Sequence, residues 1–514
     1  MAENQPTVIG KDVIESLTTS MYDDSRFIFR EYIQNSADQI DKAVKEKLLT
    51  NQQGEIHIQI DRDSRLIIIE DNATGIPANA VLSILKNIAQ STKKRGVDKG
   101  FRGIGRLGGM AYCDLLIFET SFRGEPVKSI MTWDAARLRK IINNRNEKEH
   151  ASQVIDEVTS IETFNESTDA HYFKVTLKEV SHDELLDVAE VRRYLSMVAP
   201  VPFHSRFIYH RKISDELAAD QINLDEYNIF VNTEKVFKGY STYIYDGDND
   251  NRRKIGEVID VLFFKERNEL GQLVLWGWYG ITEKNQSLNQ INHARGFRLR
   301  KANIQVGDEY SLIKLHRDRR FQFYFFGEVY AMHPDILPNA RRDYFVENEA
   351  YFDFENKLKN FLHTTIHKLC YAASEINSSV KRIEEYNNFQ QEFQQKTQNG
   401  FTDKGEHREY IERLSRKKEE AIKAEAKLEK IASGQENENS PITKILDRIS
   451  NAKSTVDKQL VVNDEIKPKF RTDKLTKLNK EQRKFLGDVF RIIKNVLPND
   501  VAENLIIKIE EEMK

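Results

Sequence analysis

Glu31 and Asn35 stand four residues apart in Arg30-Glu31-Tyr32-Ile33-Gln34-Asn35-Ser36-Ala37-Asp38-Gln39-Ile40-Asp41, with Asp38 three residues further on. On a helix that spacing stacks the carboxylate above the carboxamide on one side. A carboxylate can take a proton from water, and an amide oxygen can ligate Mg2+, so the pair suits a metal–phosphate site. A solvated helix face would carry the same residues. Further on, Asp71 closes an apolar run and Gly75 follows in Asp71-Asn72-Ala73-Thr74-Gly75-Ile76. The carboxylate can accept a hydrogen bond from an exocyclic amine, and the glycine leaves room for a ring. A simple turn is the competing account. The third candidate is Gly100-Phe101-Arg102-Gly103-Ile104-Gly105-Arg106-Leu107-Gly108-Gly109. Glycines at that density let backbone N–H groups converge on phosphate oxygens, helped by a helix starting near Gly105. No Gly-Lys-Ser/Thr follows, so it is not a Walker A loop. No predicted strand precedes it, as a dinucleotide fingerprint requires.

The elements that must position these residues are legible from periodicity. Ile33, Ala37 and Ile40 give the first stretch an apolar face, predicting a helix from Arg30 to about Leu49. An amphipathic segment over Val8–Met21 precedes it. Glu55–Ile60 alternates and Arg65–Glu70 is continuously apolar, predicting a half-buried and a buried strand. Val81–Ala89 reads as a short helix, and Leu115–Thr120 and Phe173–Leu177 as strands. Beyond Val201 the pattern is α+β: strand-like runs at Ile208–Tyr209, Tyr227–Val231, Tyr240–Tyr245, Val258–Phe264 and Leu273–Tyr279, with a polar hairpin loop at Asp246–Lys254. Trp276, Trp278 and Tyr279 read as core. Gly296–Ile304 alternates basic and apolar residues. A solvated strand face is the plain reading, and a groove for an anionic partner the other. From Glu349 on, seams at three- and four-residue spacing predict long helices over Tyr351–Phe393 and His407–Ala432, broken at Gly400. Ser433–Ser440 reads as a linker. Helices are also expected over Ile442–Val462, Phe485–Leu497 and Val501–Met513.

Length and composition bound the answer. A chain of 514 residues is too long for one core, and about three domains are expected. A net charge of −3 gives no global field toward nucleic acid. Cys113 and Cys370 offer neither metal spacing nor a disulfide framework, which fits a reducing cytoplasm. No leader pattern opens the chain, and no apolar run is long enough to span a bilayer.

The order of the motifs resembles the Bergerat-fold ATPases, the GHKL superfamily of gyrase, Hsp90, histidine kinases and MutL. Within it the chain is most similar to Hsp90. The Val13–Lys42 stretch looks like that family's opening helices, IEDNATGI like its adenine-binding strand end, NIAQST like its lid start, and GFRGIGRLGG like its glycine loop. The resemblance implies that Glu31 is the general base and that Asn35 ligates Mg2+ between the phosphates. Asp71 would hold the adenine amine, with Gly75 and Ile76 beside it. Ser91, Thr92 and Lys93 would belong to the lid. Gly100, Gly103, Ile104 and Gly105 would contact phosphate, and Asp38 would support the ribose side or the helix. Two departures stand out: Ala73 replaces a glycine, and Phe173 falls where a threonine near adenine is expected.

Gly296–Ile304 resembles a strand of the Hsp90 middle domain, and Asp335–Asp343 its catalytic loop. Arg342 then corresponds to the arginine that reaches the γ-phosphate, with Arg341 the rival at a one-residue slip. The implied architecture is α+β: a Bergerat α/β sandwich over residues 1–200, a ribosomal S5-like transducer over 201–348, and an all-α region over 349–514 without the Hsp90 C-terminal domain. The expected protein is a Mg-dependent, cytoplasmic ATPase binding ATP and ADP. It would act as a dimeric, chaperone-like clamp on a protein client or operon-encoded partner, a bacterial defence system being one setting. Coiled-coil linkage through the helical third would suit it. A nucleic-acid clamp is the alternative; it needs a basic surface, for which Arg298, Arg300, Lys301 and Lys467–Lys484 are the local candidates. A histidine kinase would need a phosphoacceptor region upstream of Val8, for which the sequence leaves no room.

Overall fold

The computed structural model describes residues 9–17, 24–50, 52–90, 99, 103–144, 149–247, 251–283, 286–434, 440–450, 469–470, 472, 475 and 477–513. These form two compact units, residues 1–282 with 287–367, and 283–286 with 368–514.

The first unit opens with α1 (Asp12–Leu17) and α2 (Phe27–Lys45), then β1 (Glu55–Asp61), β2 (Leu66–Asp71) and the short α3 (Val81–Leu85). Next come β3 (Leu115–Ser121), β4 (Val127–Asp134), α4 (Ala135–Asn143), α5 (Ala151–Val158), β5 (Thr159–Asn165), β6 (Tyr172–Lys178), α6 (Val188–Val198), α7 (His210–Ala219), β7 (Asn228–Val231) and β8 (Glu234–Lys235). Helix α2 forms where the 3.6-residue period demands it. Ile28, Phe29, Tyr32, Ile33, Ala37 and Ile40 are all buried, and Lys42 and Lys45 lie in the last turn, where cations suit the dipole. It ends four residues before Leu49, because Lys47 turns the chain into a left-handed conformation (φ 59°). The strands form one sheet in the order β5-β4-β3-β6-β2-β1-β7-β8, with α2 packed on β1 and β2. Two of its strands thus come from beyond residue 200, β7 pairing parallel to β1.

A second sheet follows: β9 (Tyr243–Asp246), β10 (Arg253–Arg267), β11 (Leu273–Thr282), β12 (Gly296–Lys301), β13 (Ile304–Gln305) and β14 (Phe326–Ala331), ordered β13-β12-β14-β11-β10-β9. Helix α8 (Glu349–Phe361) closes the unit, Phe361 stacking on Phe264 of β10 with ring centroids 3.9 Å apart. Trp276 and Trp278 are fully buried, as a core reading requires.

Several expectations need correction. The segment after Gly105 is a 3-10 stretch, Gly105–Ala111, rather than an α-helix. Ile208–Tyr209 belongs to the turn entering α7, and β4 and β5 were not expected at all. The basic–apolar strand β12 is not a solvated face. Arg298 and Arg300 are buried, Arg298 pairing with Glu309 at 3.1 Å and Arg300 with Glu328, while Lys301 donates to the His333 carbonyl at 2.6 Å. A strand with both faces covered can still alternate, if its charges find buried partners. Arg298, Arg300 and Lys301 are therefore not a nucleic-acid surface. Lys467–Lys484 lies only partly within the described residues.

The second unit is helical: α9 (His367–Asn399), α10 (Lys404–Ser433), α11 (Pro441–Ser450), α12 (Lys480–Val496) and α13 (Asn499–Glu512). Helices α9 and α10 form an antiparallel hairpin. Their seam buries Ile383, Tyr386, Phe389, Phe393, Leu414, Ala421 and Ala424, and Lys417–Glu385 (3.1 Å) and Lys427–Glu375 (2.8 Å) flank it. Gly400 reverses the chain at φ 93°. Cys113 and Cys370 are buried thiols rather than a disulfide, and no described helix is long and apolar enough to cross a membrane.

Candidate active site

Helix α2 carries Glu31, Gln34, Asn35 and Asp38 along adjoining faces, and the chain returns to them from two distant places. The first return is the glycine loop. A Cβ on Gly105 would overlap the Glu31 carboxylate, so only glycine lets this backbone lie against that side chain. The loop is pinned there by Tyr32, whose hydroxyl donates to the Arg106 carbonyl (3.1 Å) and accepts from the Gly109 N–H (3.2 Å). Ile104 is buried against Phe27 and Ile88, holding Gly103 and Gly105 on either side of it.

The second return is the loop after β14. Arg342 Nε lies 3.2 Å from Glu31 Oε1, each side chain being about one-tenth exposed. Its guanidinium also donates to the Lys99 carbonyl. Arg342 is held in the left-handed region (φ 56°), which costs a non-glycine residue roughly 1–2 kcal/mol. The surrounding loop enforces it. The Arg342 N–H donates to Asn339 (3.2 Å), its carbonyl accepts from the Gly307 N–H (2.7 Å), and the Arg341 carbonyl accepts from Arg30 (3.2 Å). Arg341 itself is exposed. Of the two candidate arginines, the structure thus brings Arg342 to Glu31.

Asp71 ends β2 and is 1 % exposed, its Oδ1 accepting from the Ala73 N–H at 3.2 Å. Gly75 follows at φ 67°, and a Cβ there would overlap the Ser121 carbonyl. Ile76 donates its N–H to Thr120 Oγ1 at 2.8 Å, and Thr120 in turn donates to the Tyr172 carbonyl at 3.0 Å. The β2–β6 register sets Phe173 directly opposite Asp71, and the Phe173 ring stacks on Phe118. Asp38 accepts from the Lys99 N–H at 2.9 Å, which ties Lys99 to α2. Lys99 Nζ then meets Asp41 (2.6 Å) and Asp225 (3.1 Å). Burial alone would lower its pKa, but those carboxylates outweigh burial and hold it above the usual lysine range. Ser91, Thr92, Lys93 and Gly100 lie outside the described residues.

Residues 25–168 match the family described as "Histidine kinase-, DNA gyrase B-, and HSP90-like ATPase". The chain carries an Hsp90-like GHKL ATPase domain. Chaperone protein HtpG of Paraburkholderia xenovorans is 26 % identical over 144 residues, which cover 24 % of this chain and 23 % of that protein. HtpG of Psychrobacter cryohalolentis is 29 % identical over 139 residues, 24 % and 21 % of the two chains. HtpG of Burkholderia ambifaria is 27 % identical over 144 residues. The chain thus matches less than a quarter of the length of these curated relatives.

Within the Hsp90-like domain several residues escaped sequence reasoning. Thr120 reads as an ordinary strand residue until its hydroxyl is seen under Ile76. Gln39 accepts from the buried Thr74 hydroxyl at 2.9 Å. Gln34 is 1 % exposed, and neither of its carboxamide atoms has a hydrogen-bond partner among the described residues. Its place on α2, three residues from Glu31 and four from Asp38, was the available signal. Among the described residues no group of three or more Asp, Glu, His or Cys could cage a metal ion. The donor set fits Mg2+ held through the Asn35 amide and a substrate's own phosphate oxygens, since Mg2+ commonly takes one or two protein ligands beside phosphates.

Proposed function

We propose that the chain binds and hydrolyses ATP at this site and uses the cycle to move one part of a clamp against another. The observation that carries the reading is the Arg342–Glu31 pair. A buried guanidinium from one sheet's loop sits on a carboxylate of the other sheet's helix, beside a glycine loop that admits no side chain. Asp71 takes the adenine amine, with Gly75 and Ile76 leaving the ring its space. Gly103, Ile104 and Gly105 present backbone N–H groups to the phosphates. Asn35 would hold Mg2+, which would supply charge neutralisation to the bound phosphates. Glu31 takes the proton of the attacking water. A carboxylate held by a guanidinium is not available for that task. Transfer of Arg342 from Glu31 to the γ-phosphate would free the base and place a cation where transition-state charge develops. Turnover then depends on whether the nucleotide has drawn Arg342 across.

The kinship with HtpG supports a chaperone-like clamp acting on a protein client or operon partner, with a second copy of the chain as its other jaw. The α9–α10 hairpin is the rigid arm such a device needs. Two substitutions test the site. Glu31→Ala should keep nucleotide binding and lose turnover in a phosphate-release assay; surviving turnover removes Glu31 as the base. Asp71→Asn should abolish the thermal stabilisation that magnesium and a non-hydrolysable ATP analogue give the wild type. Calorimetry showing the intact chain indifferent to adenine nucleotides would sink the whole reading.

A further inference from the structure

The glycine loop contains a cation whose role nothing above explains. Arg106 follows Gly105 directly, and its guanidinium folds back onto the loop. Nη1 donates to the Gly103 carbonyl at 2.6 Å, Nη2 donates to the Asn87 carbonyl, and Nε lies 3.5 Å from the Leu85 carbonyl. All three partners are neutral. Among the described residues no carboxylate faces the group, and burial alone pushes its pKa down, to about 10. Two other cations described at the loop are neutralised: Lys99 by Asp41 and Asp225, Arg342 by Glu31. Arg106 is partly buried, and a guanidinium bonded only to neutral carbonyls is suited to take up an anion. The site also needs a positive group. Glu31 lies against Gly105 and Asp38 accepts from the Lys99 N–H, so α2 brings carboxylates to the glycine loop, which lacks the lysine of a Walker motif. Among the described residues three carbonyls take up the fork, which has five N–H donors in all.

We infer that Arg106 is a phosphate-binding residue of the nucleotide site, its guanidinium distinguishing phosphorylated adenine ligands from unphosphorylated ones. This rests on the reading of the site as nucleotide-binding. The three carbonyls orient the fork from Gly103 on one side and from the end of α3 on the other, so binding of the phosphates also ties the glycine loop to the segment leading into the lid. A charge-assisted bidentate contact of this kind changes affinity about tenfold or more.

The test is calorimetric titration of adenosine, ADP and magnesium-ATP into wild type, Arg106→Gln and Arg106→Lys. In Arg106→Gln, ADP and ATP should weaken about tenfold or more while adenosine stays within about twofold; Arg106→Lys should fall between. Equal loss for adenosine and ADP would show Arg106 to be a staple of the loop. No loss for any ligand would show it to be idle. Either result overturns the inference. Thermal melts establish that the variants fold; if Arg106→Gln does not, the same comparison is read from Arg106→Lys, where unequal loss supports the inference and equal loss overturns it. A wild-type chain that binds none of the three ligands overturns the nucleotide reading itself, a failure distinct from this one.

Discussion

Glu31 meets one guanidinium; Glu328, on β14, meets two cations, a phenol and an indole. Both are buried carboxylates that tie the second sheet to something else, and they are built differently. Around Glu328, Lys238 Nζ approaches both oxygens at 2.7 and 2.9 Å, Arg300 and the Tyr330 hydroxyl donate, and Trp278 Nε1 lies at 3.3 Å. The cations are satisfied in turn. Arg300 donates to the Asn303 carbonyl (2.8 Å) and to that of Met197 (2.6 Å) at the end of α6, and Lys238 to Asn303 Oδ1 (2.8 Å). Arg342, by contrast, reaches Glu31 from a loop held in an unfavourable backbone conformation, and also donates to the Lys99 carbonyl. A fully connected network locks its strands together, whereas a pair reached from a strained loop can be exchanged for a better partner. The first belongs to the frame and the second to a switch.

If that contrast is sound, cutting the switch should remove chemistry and spare the fold. Arg342→Ala should lower turnover on the order of 10³-fold, the usual scale for a phosphate-sensing arginine. Its melting temperature should fall less than that of any Glu328 variant. Single-turnover phosphate release and a thermal melt on the same sample check both halves. Turnover within a few fold of wild type would mean that the arginine is parked on Glu31 without a role in the reaction.

Cutting the frame should do the opposite. Glu328→Gln leaves Arg300 and Lys238 enclosed without their anion, at a cost of about 3–5 kcal/mol. For a unit of this size that lowers the melting temperature on the order of 10 °C. Nucleotide affinity measured well below the transition should change little, because the hydrogen bonds of the cluster described above run to β12, β14, β11 and the end of α6 rather than to α2. Loss of affinity in a folded Glu328→Gln would erase the distinction between the two carboxylates.

The two regions were also unequally legible in the sequence. Glu31 and Asn35 share a helix, so their relation is written in a four-residue spacing. Asp71 and Gly75 sit within one turn. The frame is invisible from any single stretch: Lys238, Arg300 and Glu328 come from three segments, and the alternation over Gly296–Ile304 looks the same whether its charges are solvated or buried. That is why β12 reads as a surface strand and proves to be an interior one. Strand β5 went unseen because it is almost wholly exposed and offers no apolar face. The 3-10 course after Gly105 reflects packing: Gly109 accommodates the Tyr32 hydroxyl, and a Cβ there would strike it. Periodicity has no means of reporting that.

The smallest expected effect separates the two carboxylates by pH. Burial would raise the Glu328 pKa, but Arg300 and Lys238 overcome it and hold the group down at about 2. The unfolded chain binds its proton near the ordinary glutamate value of about 4.3. Between those values the unfolded state carries more protons than the folded one, so stability falls as the pH is lowered through that window. The stabilisation is present in full above the unfolded value, and for one carboxylate its loss amounts to on the order of 3 kcal/mol. Glu328→Gln has no such proton to gain. Although less stable at neutral pH, it should therefore show a shallower decline in denaturation free energy from pH 5 to pH 3 than the wild type. Arg342→Ala leaves the cluster intact and should decline in parallel with the wild type. Parallel curves for Glu328→Gln and wild type would mean that acid lability arises elsewhere and that the frame's carboxylate is not held ionised by its two cations.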